Sequence, residues 1–212
     1  MIKIVALLLY TVLLVTVIRQ LPLQQLLTNN HTQHMIFGCT ASIFCLWVFR
    51  TGIYSGLDVH FLWLTALTLI LGFQWAIFSS ALALISITLS GGESWSMLGI
   101  NGLLSCALPI TVSYLCYSLS FHKLPRHFFV YIFVCSFLTG AVAIIAKMFA
   151  LGGYYFFTDQ YSWQIITDNY LILLTLLAFP EAMLNGMTMT LMVMYKPHWV
   201  FTFQDKFYIN DK

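Results

Sequence analysis

The sequence predicts an all-α, polytopic membrane bundle, and three observations carry that reading. Only 8% of the 212 residues are charged while 60% are hydrophobic, against about 25% charged in a soluble domain. Apolar stretches of spanning length recur along the chain, with the few Lys and Arg between them. A span takes about 20 residues, so the length accommodates roughly six to eight spans and no separate soluble domain. We read residues 1–212 as a single transmembrane domain of about seven helices. The composition excludes a cytosolic enzyme, a disordered chain and a nucleic-acid binder.

The elements follow in order. Ile4 to Ile18 is apolar between Lys3 and Arg19. No small-x-small cleavage site follows, so it reads as a retained helix rather than a leader. Gln20 to His34 is a polar connector, and Met35 to Tyr54 is the second span, with Arg50 near its end. Phe61 to Gly92 runs 32 residues without a charge. As one helix it would be about 48 Å long, too long for a core of about 30 Å and too short for two full spans. Gly72 marks a break, giving a short helix (60–72) and a second one (73–90). Gly91, Gly92 and Glu93 form a turn. The fifth span is 98–119, interrupted by Pro109, and a basic loop with Lys123 and Arg126 follows. The sixth span is 128–150, with Lys147 near its end placed to snorkel. An aromatic loop at 152–163 and a last span at 168–195 complete the bundle.

The positive-inside rule orients it. Lys123, Arg126, Lys196, Lys206 and Lys212 place their segments in the cytoplasm, and the Lys/Arg-free loops at 91–97 and 151–165 go outside. Counting back puts His60 and Met1 outside, so the N-terminus is out and the C-terminus in.

Few residues carry chemistry. His60, beside Asp58 in a short outer loop, is a natural transition-metal ligand, with Asp58 as second ligand or orienting group; water-satisfied interfacial side chains are the plainer alternative. His31 and His34 are three apart, a clamp spacing if helical, but on the cytoplasmic side. Glu181 follows Pro180 inside the last span, with Asn185 one turn later on the same face. An ionisable group there is costly and points to function or to a polar network, with Arg50 or Lys147 as possible counter-charges. Asn101 opens the fifth span as a cap-like polar residue. The five cysteines, Cys39, Cys45, Cys106, Cys116 and Cys135, lie in apolar stretches without a C-x-x-C pair, so neither a disulfide nor an Fe–S cluster is expected. H-E-x-x-H, G-x-S-x-G, P-loop and G-x-G-x-x-G motifs are absent, so an enzyme is not expected, and no ATPase motif is present.

Gly56-Leu57-Asp58-Val59-His60-Phe61-Leu62 and Leu71-Gly72-Phe73-Gln74-Trp75-Ala76 resemble the loop and short helix of the membrane substrate-binding component of cobalt and nickel energy-coupling-factor transporters, the CbiM/NikM type. Leu98-Gly99-Ile100-Asn101 is similar to its Leu-Gly-Ala-Asn, and Asn185-Gly186 through Tyr195 to its final helix. The chain resembles a divergent bacterial branch of these permease-like proteins. The resemblance implies no permanent cofactor and a Co2+ or Ni2+ substrate, with a link to cobalamin synthesis. It implies a bacterial inner-membrane location, a separate coupling subunit and two cytoplasmic ATPases. In that family the terminal amine, the histidine after it and the loop histidine hold the metal. Here that implies Met1 and His60, with Ile2 in place of the second imidazole and Asp58 in compensation. Two other readings stay open: a scaffold or assembly protein that kept the fold without the metal, and an intramembrane enzyme using Glu181.

Overall fold

The computed structural model describes residues 1–203, so Lys206 and Lys212, used above for orientation, lie outside the described residues. Helix α1 is Ile2–Gln20, and a short α2 (Leu23–Thr28) leads into α3 (Asn30–Val48). The helical segments continue as α4 (Leu64–Leu71), α5 (Phe73–Leu89), α6 (Trp95–Lys123), α7 (Phe128–Phe157) and α8 (Trp163–Tyr195). Helices α1, α6, α7 and α8 are long and apolar enough to cross a membrane; α5 is apolar but shorter. Among the described residues the only strand-like pairing is an isolated bridge, Thr51 to Val59.

Several boundaries differ from the sequence reading. The second span starts earlier and stops earlier. Asn29 caps α3, its Oδ1 accepting from the His31 and Thr32 backbone N–H groups, so His31 and His34 lie on a helix rather than in a connector. The chain leaves the helix at Phe49 because Arg50 is drawn to the 92–93 turn and Thr51 pairs with Val59. Helix α7 runs on through Gly152 to Phe157, so the aromatic stretch is largely helical. The last helical segment begins at Trp163, where Ser162 accepts from Ile165 N–H.

The break at Gly72 falls where the sequence places it, but the short helix begins at Leu64 rather than at residue 60, because the 59–63 segment is non-helical and tied down by Thr51 and Glu181. Gly72 adopts φ 80°, ψ 170°, a conformation glycine reaches without a Cβ penalty. Two widened π segments, 101–107 and 131–138, lie within α6 and α7. The first directly precedes Pro109, which removes a backbone donor from the helix ladder. In the second, Thr139 Oγ1 donates to the Val134 carbonyl at 2.8 Å.

The loops sort to two ends. At one end Arg50 reaches Gly92 and Glu93, and Tyr161 donates to the Ser55 carbonyl at 2.9 Å. At the other, residues 197–203 fold back onto α4, α6 and α7: Tyr117 and Tyr131 bond Thr202, and His31 meets the Trp199 ring edge-on. Helix α1 crosses α6 at Gly99, where a Cβ would strike the Leu7 backbone.

Candidate metal centre

Helix α4 is the frame on which the site is built. It has eight residues, all buried. A helix so short leaves about half of its backbone groups unpaired at its ends, and in a lipid-embedded bundle they must find protein partners. At the N-terminal end Glu181 Oε2 accepts from Leu62 N–H at 2.9 Å and Oε1 from Trp63 N–H at 2.8 Å. Asn185 Oδ1 accepts from Ala66 N–H at 2.8 Å, while Asn185 Nδ2 donates to the Glu181 carboxylate and carbonyl. Trp63 sits in the left-handed region at φ 56°, which is unfavourable for a bulky residue; its indole N–H is also tied down, donating to Thr188 Oγ1 at 2.9 Å. At the C-terminal end the Leu69 and Ile70 carbonyls accept from Thr202 and Phe201 N–H, and Thr202 Oγ1 adds a third bond.

Glu181 therefore pairs with backbone N–H groups and Asn185, not with Arg50 or Lys147. A carboxylate at a helix N-terminus faces the positive end of the dipole, so this buried charge is matched without a basic side chain.

The segment pinned by Glu181 delivers His60. Its ring is buried against Trp47, with centroids 5.3 Å apart. Nδ1 lies 3.1 Å from the Phe61 carbonyl. A carbonyl only accepts, so Nδ1 carries the proton and Nε2 keeps its lone pair. Burial holds the imidazole well below its usual pKa; the Lys147 charge acts in the same direction and the Phe61 bond opposes it. His60 is thus a neutral imidazole with its tautomer set by a backbone carbonyl, the arrangement metal-binding histidines use.

His60 shares a cavity of about 20 Å³ with Arg50, Asp58, Glu93, Asn101 and Lys147, about the room of one water molecule. Arg50 forms an ion pair with Glu93, and Asn101 Nδ2 donates to the other Glu93 oxygen at 2.8 Å. The sequence reading missed Glu93 as a site residue; the only local signal was its place in a Gly-Gly turn. Lys147 does not snorkel. It is 2% exposed, and its Nζ lies 3.5 Å from the Asp58 carbonyl. The inward face of α7 is flanked here by the 49–63 loop and α6, which close over it before the stem can reach water.

Asp58, His60, Asn101 and Arg50 are therefore brought together, and Glu181 with Asn185 forms a separate cluster behind them. Met1 is fully exposed and does not line the cavity. Among the described residues no three His, Cys, Asp or Glu side chains are gathered closely enough to grip a metal. Asp58, His60 and Glu93 share a chamber without converging on one point.

The family model CbiM, described as the cobalt uptake substrate-specific transmembrane region, matches residues 2–199. A crystal structure of a transition metal transporter superposes with a TM-score of 0.77 at 19% identity, covering 91% of this chain and 88% of that one. No curated protein matches.

Proposed function

The chain belongs to the CbiM family of cobalt uptake substrate-specific transmembrane regions, and from that premise we propose that it captures a divalent transition metal, cobalt or nickel, at the His60 chamber. The supporting observation is the neutral, buried His60, its Nδ1 committed to a backbone carbonyl and its Nε2 left as a borderline-soft donor in a cavity that two carboxylates also line. Asp58 serves as a second ligand or orienting group. Asn101 supports the chamber by holding Glu93. The N-terminal amine of Met1 enters only if α1 is drawn in on loading.

The proposed setting is a bacterial inner membrane, with a single transmembrane domain of seven helices. The His60 end and the N-terminus face out, and the 197–203 end faces in. A separate coupling subunit and two cytoplasmic ATPases would drive uptake, which would feed cobalamin synthesis where the metal is cobalt.

A second reading, a scaffold that kept the fold without the metal, is favoured by one observation: Arg50 and Lys147 place two cations in the same chamber. Metal content of the purified protein after exposure to Co2+, Ni2+, Zn2+ and Cu2+ separates the two. The capture reading expects about one equivalent, lost in His60→Ala. Metal in neither protein favours the scaffold.

A further inference from the structure

Lys147 is a buried cation that capture as stated leaves without a role. It sits on α7 at 2% exposure, and an ionisable side chain inside a span is costly and needs a partner. Its partners are those of the chamber. Nζ faces the Asp58 carbonyl at 3.5 Å and the Tyr170 ring at 5.8 Å, and Asp58, His60 and Glu93 line the same space. Glu93 is already matched by Arg50. With His60 neutral, the chamber holds two positive and two negative side chains, so it is balanced without any ion from outside. The remaining volume, about 20 Å³, admits a water but not a hydrated divalent ion.

We propose that Lys147 is an internal cation holding the metal position of the His60 chamber, so that a divalent ion enters by exchange as the ammonium leaves the Asp58 backbone carbonyl. This rests on reading the chamber as the capture site. What changes on exchange is which cation the chamber's carboxylates face. It sets affinity because a divalent ion within a few ångström of a fixed ammonium is strongly repelled in a low-dielectric site. It also accounts for the loose donor set: Asp58, His60 and Glu93 line the cavity together with a basic side chain already in place.

The test compares the full-length wild type, Lys147→Met, and Lys147→Met combined with His60→Ala, in nanodiscs, by equilibrium titration with Ni2+, Co2+ and Zn2+. Lys147→Met should bind one equivalent at least about 100-fold more tightly than wild type, as expected for removing a unit charge close to the ion, and the double variant should lose the gain. Removing Lys147 leaves carboxylates short of a counter-charge and can unfold the variant. Thermal denaturation with and without metal then gives the answer, since a ligand of the native state raises Tm: metal should stabilise Lys147→Met far more than wild type.

No metal in wild type with His60-dependent binding in Lys147→Met overturns entry by exchange, and with it capture by the natural chain. Equal affinity in the two overturns the internal cation and leaves capture standing. No binding and no thermal rescue in Lys147→Met overturns the internal cation, and capture then stands or falls on the wild-type titration.

Discussion

Two polar clusters lie within the same apolar bundle, and they are built on different rules. In the Glu181–Asn185 cluster each carboxylate oxygen and both ends of the amide have partners at 2.8–2.9 Å, mostly backbone groups. In the His60 chamber the charges come from distant segments and Lys147 reaches only a carbonyl at 3.5 Å. The first cluster has nothing left to bind. The second has charges matched in number but donors not closed around any atom. Burial of charge alone therefore does not mark a binding site in this fold. The distinguishing feature is how closely the partners hold: the clamp's bonds are 2.8–2.9 Å, whereas Lys147 in the chamber reaches its carbonyl at 3.5 Å.

The comparison breaks most sharply at Glu181. Glu181→Ala removes a carboxylate and strands the Leu62 and Trp63 N–H groups, each a buried donor worth roughly 1–3 kcal/mol when unmet. The expected loss is about 3–5 kcal/mol, with the strained Trp63 released. Glu181→Gln keeps one acceptor oxygen and should cost about half as much. Chemical denaturation in mixed micelles measures both. If Glu181→Ala unfolds at the wild-type midpoint, the cluster is not a structural clamp, and the intramembrane-enzyme reading regains its footing.

Much of this was legible beforehand, and what was missed has a common cause. The Gly72 break followed from length against bilayer thickness, and Glu181 with Asn185 from helical spacing. The carboxylate's partners did not follow, because Leu62 and Trp63 lie 119 and 118 residues away. Lys147 misled for the same reason. A lysine near a span end snorkels or turns inward according to what packs over it, and here α6 and the 49–63 loop decide that. Arg50 and Glu93, 43 residues apart, meet only through the tertiary fold. Local periodicity shows which residues are out of place in lipid; it does not show which of them find one another.

The chamber should respond to acid through His60. Burial and Lys147 depress the His60 pKa in the folded state. The unfolded chain therefore takes up a proton near pH 6.5, while the folded chain resists it. Stability is full above that pH and falls as pH drops toward the folded value. His60→Gln removes the titrating group, so its midpoint should lose this part of the slope between about pH 6.5 and 5. Matching slopes in wild type and His60→Gln would mean that His60 is hydrated and outside a dry chamber.

The smallest expected effect tests whether the two ends of α4 act as one body. Thr202 Oγ1 donates to the Leu69 carbonyl at 2.8 Å and meets the Tyr131 hydroxyl at 2.7 Å. Thr202→Val removes both side-chain bonds but keeps the Phe201 and Thr202 backbone bonds to α4. The loss should be about 1 kcal/mol in stability. Metal affinity at the chamber should stay within about twofold, because the Glu181 clamp fixes the His60 end independently and distant sites are close to additive. A parallel loss of affinity would show that the short helix transmits strain from the 197–203 segment to His60. In that case the 197–203 segment and the chamber would be two ends of a single lever, with the clamp as its pivot.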